Sequence, residues 1–514
     1  MFKSLFLSIL PKAFFVRWGL DENEKHFIKL MKSRLKSMQS PQGPKVLLQM
    51  PADYFCLTLF SMVVSGLRPS VVGGLWHQNI MSNLKGESLG FVRHPGRRLA
   101  RFLDRQKWAK IYATLGVRSV LDLEPSLLSR FFNKVGAKRI MATLKGKQDL
   151  LDLRLNGLVC GDLIYDTYLR YRVQPTVDVN DPYLAYLIAK ALDAQQAARS
   201  IFKAHQFDLF FSNYSSYIQH GIPVRVALEC GVDVYTAGNL SQYLKKLSVN
   251  DHLHTTEHWT YKEKFSKYKE HDLLIAQAKN MLEKRFTGGV DEATQYMKTS
   301  AFLKSSELMP NGVEGVVFLH DFFDSPHCHR WMLFPDFLDW ARFTLGIIEK
   351  HQLPIAIKPH PNQLPESIEV VDMLKKEFPS VRWLPTTLSN QVIFQSGIRC
   401  GISVYGTILH ELAYHGIPAL AAGDHPHSAF DIATTPNSIE EYRRYLIQFR
   451  ELRLSDNAKK EVLAFYYMHN INKNEGLDLD LDRWGLRSIG PNESKRFGAF
   501  INSHPNFPAM DKSS

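Results

Sequence analysis

Several polar runs of this chain hold side chains able to bind an anion or move a proton, and each directly follows a short apolar run. Lys358-Pro-His-Pro-Asn362 places Lys358, His360 and Asn362 in a loop, where prolines on both sides of the histidine restrict its backbone and bar helix. Ser403-Val-Tyr-Gly-Thr407 leads into Ile-Leu-His-Glu-Leu-Ala-Tyr-His-Gly-Ile-Pro418. A helix opening at Thr407 would turn unpaired N–H groups and a positive dipole end toward a phosphate. Gly406 would let the backbone approach closely, and Ser403 and Thr407 would add hydroxyls. Packing explains the same run, since any strand–helix–strand unit needs a start and a stop, here Gly416.

His320-Asp-Phe-Phe-Asp-Ser-Pro-His327 sets His320, Asp321 and Asp324 at one strand end, for acid–base work or for gripping an acceptor. Asp324-Ser-Pro is also a good turn. His425 and His427 follow another strand, but no closely spaced carboxylate–histidine set completes a metal site there. In the first half, Ser212-Asn-Tyr-Ser-Ser-Tyr-Ile-Gln-His220-Gly-Ile-Pro-Val-Arg225 offers His220 as a general base, or as a packed histidine at a helix start. Gly161 to Arg170 adds Asp166 and Arg170, acceptor contacts or a solvated helix face.

The elements that position these residues alternate. Strands are expected at 46–50, 71–75, 119–122, 207–212 and 232–235, with helices at 53–66, 182–204 and 225–230 between some of them. The pattern restarts with strands at 315–319, 355–358, 381–384, 400–404 and 419–422, and helices at 334–351, 365–378, 390–395, 407–415 and 438–449. Such alternation predicts an α/β protein of two facing, doubly wound Rossmann-like sheets, with ligands at the carboxyl ends of the strands and a cleft between the domains. The expected division is an N-terminal amphipathic extension over 1–40, a first domain over 41–250 and a helical linker over 251–310. A second domain over 311–450 and a helical extension over 451–514 follow, with a loosely held, turn-rich tail beyond Ser488.

Composition narrows the function classes. The chain has 514 residues, 63 Lys plus Arg against 51 Asp plus Glu, and a formal charge of +12, so its surface attracts polyanions. No zinc finger, aromatic RNA-binding signature or compact basic block directs that charge to nucleic acid. Five scattered cysteines form no metal or redox spacing and fit a reducing, cytoplasmic setting. No apolar run is long enough to span a bilayer. The first 17 residues mix Phe and Leu with Lys3, Lys12 and Arg17, which fits peripheral contact with an anionic membrane on its inner face, or a segment packed on its own domain. A secretory signal would lack its small-residue cleavage site. The glycine fingerprints of dinucleotide-binding and P-loop proteins are missing, as is the G-x-S-x-G elbow.

The order of the His360 loop and then Ser403…Gly-Thr407…Glu411…Gly-Ile-Pro418 resembles bacterial capsule and lipopolysaccharide glycosyltransferases of the GT-B fold, the capsule polysaccharide biosynthesis proteins among them. The resemblance reaches more distantly to polysialyltransferases and teichoic-acid glycerophosphotransferases. It covers about 315–446, and more loosely the Tyr217…His220-Gly-Ile-Pro-Val-Arg225 run. It implies a nucleotide-sugar donor, CMP- or UDP-linked with CMP favoured, held by the second domain and used without a further cofactor or a metal. His360 would then contact the phosphate or pyrimidine, with Lys358 supplying charge. Ser403, Gly406 and Thr407 would hold the phosphates and Glu411 would touch the ribose. The base would come from the first domain, His220 first and Asp166 second, and the acceptor would be a glycan or lipid-linked sugar. A sugar-nucleotide epimerase, a polyol-phosphate transferase or a non-catalytic scaffold of envelope polysaccharide assembly are the alternatives.

Overall fold

Short strands of two to six residues, most of them buried, alternate with helices and give two separate sheets. The computed structural model describes residues 19–81, 95–237, 244–289, 300–302, 306–361, 363–472, 486 and 492–509. The N-terminal anchor segment and Asn362 therefore lie outside the described residues.

The first domain opens with α1 (Glu22–Arg34), whose Asp21 and Glu24 cap each other reciprocally. Then follow β1 (Lys45–Gln49), α2 (Tyr54–Leu67), β2 (Val71–Trp76), α3 (Pro95–Tyr112), β3 (Val117–Asp122), α4 (Leu127–Met141) and α5 (Lys147–Leu151). A small hairpin of β4 (Arg154–Leu155) and β5 (Leu158–Val159) precedes α6 (Gly161–Tyr168) and α7 (Pro182–His205). The rest is β6 (Leu209–Ser212), α8 (Ile218–Glu229), β7 (Asp233–Ala237) and β8 (Leu244–Leu247). The strand order is β3-β2-β1-β6-β7-β8, parallel except for β8, which runs antiparallel to β7. Reversal of order at β1 and β6 makes that point the ligand-binding end of a doubly wound sheet.

The expected helix at 225–230 is longer than its sequence suggests, beginning at Ile218 with Pro223 inside it. A proline there withholds an N–H from the carbonyl four residues earlier. That carbonyl, on Gln219, instead accepts from the amide of Gln49 at 3.4 Å, so the helix runs through the proline with its backbone satisfied.

Two helices, α9 (Tyr261–Ser266) and α10 (His271–Phe286), lead to β9 (Gly315–Phe318), α11 (Phe337–Lys350), β10 (Ile355–Lys358) and α12 (Pro365–Glu377). Then come β11 (Arg382–Trp383), α13 (Asn390–Gln395), β12 (Cys400–Ile402), α14 (Ile408–Tyr414), β13 (Ala419–Leu420), α15 (Ile439–Ile447) and α16 (Ala458–Tyr466). This second sheet is wholly parallel in the order β11-β10-β9-β12-β13, again reversing at its first strand.

The tail departs from its expected looseness. α17 (Glu493–Ser503) folds back to the first domain, burying Phe497, Phe500 and Ile501. Phe497 lies 5.1 Å from the Phe27 ring and 4.8 Å from Tyr54, centroid to centroid. Turn-forming residues on either side hid this i, i+3, i+4 apolar stripe. No helix among the described residues is long and apolar enough to cross a membrane.

Candidate functional site

The loop after β9 is the element that joins the two sheets at their ligand-binding ends. Its anchor is the second sheet: Asp321 accepts from the Phe323 and Leu364 N–H groups at 3.0 and 2.9 Å and from the Ser367 hydroxyl at 3.3 Å. Asp321 thus fastens the loop to the start of α12. Asp324 is exposed and accepts from the Ser325 N–H at 2.9 Å. Beyond it the loop reaches the first domain, where His327 Nδ1 and Asp166 Oδ1 are hydrogen-bonded at 2.6 Å.

That pair is closely built. Asp166, on α6, is 2 % exposed, and the Tyr165 ring meets His327 edge-on at 5.1 Å. Burial pushes the His327 imidazole down, but the charge and hydrogen bond of Asp166 outweigh it and hold the ring above its ordinary value. Next door, the fully buried carboxylate of Asp336 caps α11 through the Asp339 N–H at 2.8 Å. It also accepts from the Tyr165 and Thr176 hydroxyls, both at 2.5 Å, and from Lys147 at 3.4 Å. One carboxylate thereby both starts a second-domain helix and fixes the first-domain wall beside Asp166.

His327 borders a cavity of about 530 Å3, lined also by Asp162, His252, Trp259, Arg330 and Trp331. Asp162 is held in a bidentate pair by Arg225. Its burial is outweighed by that guanidinium, which brings the carboxyl down to about 2. Arg330 lies 4.5 Å from the Trp259 ring centroid and clasps Asp424 through Nε and Nη2, both at 3.1 Å. The cavity therefore combines two indole surfaces, fixed carboxylates, imidazoles and a guanidinium.

Tyr405 connects this cavity to the strand ends of the second sheet. Its ring lies 4.8 Å from His329 on the cavity side and 5.3 Å from His320 on the other, and His320 lies 6.4 Å from His360. Burial, with His320 nearby, lowers the His360 imidazole to about 4. Lys358 is buried beneath, donating to Asn390 Oδ1 at 2.6 Å, and burial brings it down to about 8.

The run from 403 to 411 is engaged largely within the fold. Ser403 contacts the Phe318 and Tyr405 carbonyls at 3.1 and 3.2 Å. Arg285, from α10, donates to the Thr407 hydroxyl at 3.3 Å and pairs with Glu411 at 2.5 Å. Gly406 has φ +132°, with open space where a Cβ would stand, a conformation that favours glycine. So His320, His360, Tyr405 and Gly406 are presented at this end, while Ser403, Thr407 and Glu411 hold its frame.

His220 lies under Tyr214, ring centroids 5.9 Å apart, with its Nδ1 buried and without a hydrogen-bond partner. Burial, with His77 and His254 nearby, lowers it to about 3. His425 belongs to a buried chain of rings: His410 Nδ1 to His427 Nε2 at 2.9 Å, His427 Nδ1 to His425 Nδ1 at 2.8 Å, and His425 Nε2 to the Thr435 hydroxyl at 3.0 Å.

Among the described residues, one group could hold a metal ion. The ligand atoms of His258, His329 and Asp424 lie within 4.8 Å of one another, a carboxylate–histidine set that spacing along the chain did not reveal because its members come from three segments. Arg330 already neutralises that carboxylate, so an entering cation would compete with a guanidinium.

No family model matches the chain, and no curated protein matches it. Among solved structures it is similar to KpsC of Thermosulfurimonas dismutans, a beta Kdo 2,4 transferase. The identity is 11 % over 51 % of this chain and 79 % of that one, with a TM-score of 0.33. It is also similar to UDP-GlcNAc 2-epimerase from Neisseria meningitidis bound to UDP-GlcNAc, at 8 % identity, 83 % and 96 % coverage and a TM-score of 0.22. S. aureus MnaA with UDP gives 8 %, 90 % and 96 %, and 0.23. At these scores the likeness concerns architecture, and the chemistry rests on this chain's own residues.

Proposed function

We propose that the protein is a glycosyltransferase that moves a sugar from a CMP- or UDP-linked donor to a glycan or lipid-linked acceptor of a surface polysaccharide. The observation that carries this is the Asp166–His327 pair, formed across the two domains at the edge of an aromatic, charged cavity. With its Nδ1 proton directed at Asp166, His327 offers the Nε2 lone pair as a general base. The acceptor hydroxyl oxygen bonds to the donor's anomeric carbon as its proton passes to Nε2. The bond from that carbon to the phosphate oxygen breaks, and the nucleotide leaves with the electron pair. Trp259 and Trp331 supply ring surface for sugars, and Arg330, held by Asp424, supplies fixed N–H donors. His320 and His360, contiguous with the cavity through Tyr405, are the groups for the nucleotide. The donor is used without a metal in this reading, so turnover should survive EDTA.

Calorimetric titration with CMP, UDP and their sugar conjugates tests the donor assignment. Binding of one nucleotide in the micromolar to millimolar range is expected, weakened about tenfold or more by His360→Ala. Failure of every nucleotide to bind would remove the donor site, and unaltered binding by His360→Ala would remove its placement. Donor consumed without acceptor, to give an isomerised sugar, would favour the epimerase alternative.

A further inference from the structure

Helix α4 leaves an apolar face uncovered. Leu127 is 81 % exposed, Leu128 67 %, Phe131 61 % and Phe132 62 %, with Val135 also exposed. At 3.6 residues per turn these five positions share one face. The opposite face is the packed one: Ala137 is buried, and Asn133 donates to Asp193 on α7 at 2.8 Å. Phe131 and Phe132 meet edge-on at 5.7 Å and face solvent together. A contiguous patch of large apolar side chains marks an interaction surface.

Charge identifies what it meets. Lys134, Lys138 and Arg139 are exposed along the same helix, and no acidic residue occurs between Leu127 and Met141. The nearest acid before it, Glu124, is neutralised by Arg130 and Lys190, each at 2.8 Å. The whole chain carries +12. An amphipathic helix with aromatic and leucine side chains on one face and cations beside them suits the headgroup layer of an anionic bilayer, apolar below and negative above. We infer that α4 docks the first domain on anionic lipid, its phenylalanines inserted and its cations against the headgroups. Six residues beyond α4, Lys147 pairs with Asp339 at 2.6 Å, so the docked surface lies close in sequence to the contact between domains. The inference stands apart from the donor assignment, since its test reads binding and not turnover.

Co-sedimentation of the full chain with vesicles provides that test. Vesicles of equal parts phosphatidylcholine and phosphatidylglycerol should bind it about tenfold more than phosphatidylcholine alone, with binding weakened by salt. Phe131→Ser/Phe132→Ser should lower partitioning into the mixed vesicles about tenfold or more while leaving the melting temperature unchanged. Lys134→Glu/Lys138→Glu should abolish the preference for anionic lipid, which keeps the proposal testable if the first variant misfolds. Absence of wild-type binding, or unchanged binding by folded variants, overturns it. So does a dimer in sedimentation velocity that the phenylalanine variant dissolves, which would assign the face to a second copy.

Discussion

Asp166 and His327 are 161 residues apart, yet each depends on the other for its chemistry. The imidazole's proton affinity is lowered by burial and raised by the carboxylate, and the carboxylate prevails. A base whose pKa is raised works only above that pKa, so turnover should rise with pH above the ordinary imidazole value of about 6.5. In Asp166→Asn the charge is gone and burial remains, so the acid limb should move to lower pH while kcat falls about 10²- to 10⁴-fold. A pH–rate profile of nucleotide release checks both, and an unmoved limb with unchanged kcat would assign the pair to structure alone. The residues of this pair stood in the sequence as candidates of different kinds. Asp166 stood as an acceptor contact or part of a solvated helix face, and His327 closed a run with two carboxylates. Their meeting was not legible, because it depends on how far the loop after β9 reaches into the other domain. For the same reason Trp259, Arg330 and Asp424, which carry no local signature, went unread.

At the scale of elements, β1, β6, β9 and β10 were legible as continuous apolar runs, the pattern of strands buried on both faces. β8 was not, since Leu-Lys-Lys-Leu at a sheet edge has neither a run nor clean alternation. α4 escaped for the opposite reason: its apolar residues face outward, so the periodicity that marks a packed helix is confounded. α17 escaped because glycine, proline and asparagine surround its short stripe. Yet this helix couples the chain's two ends. Arg34, closing α1, donates to the Pro505 carbonyl at 2.5 Å, and Asn23 donates to Ser494 at 3.4 Å. Phe497 is fully buried among Phe27 and Tyr54. Phe497→Ala should therefore cost about 3–5 kcal/mol, the usual penalty for emptying a buried aromatic site. Urea unfolding followed by circular dichroism measures it, and a loss below about 1 kcal/mol would place α17 outside the cooperative unit.

Across the whole molecule, histidines kept neutral by burial recur in both halves. Burial lowers His254 and His425 to about 3, with Lys245 adding to the effect on the first and Asp424 opposing it on the second. His329 and His469 are likewise lowered to about 3 by burial. In the chain of rings at 410, 427 and 425, the His427 backbone N–H also donates to His425 Nδ1, at 3.2 Å. His425 Nδ1 must then be unprotonated, which directs the His427 Nδ1 proton toward it and the His410 Nδ1 proton toward His427. All three rings are neutral in that arrangement, and an added proton would break it. Unfolding releases these rings to their ordinary value of about 6.5, so the unfolded chain binds more protons than the folded one between pH 6.5 and 3. Stability should be fully present above pH 6.5 and decline as pH falls. Each of His254 and His425 would contribute about 2 kcal/mol of that loss by pH 5. Asp162, lowered to about 2 mainly by Arg225 against its burial, adds its loss only below about pH 4. His327, raised by Asp166, works in the opposite direction, as do Asp104, Asp122, Asp166, Asp193 and Asp339, raised by burial; the histidines lowered by burial outnumber them. Urea midpoints measured from pH 7.5 to pH 5 should therefore fall steadily. His425→Gln should reduce the slope of that decline whatever it costs at neutral pH. A midpoint that holds constant over the range would mean the buried rings accept protons in place, and with them the neutral arrangement of the chain would fail.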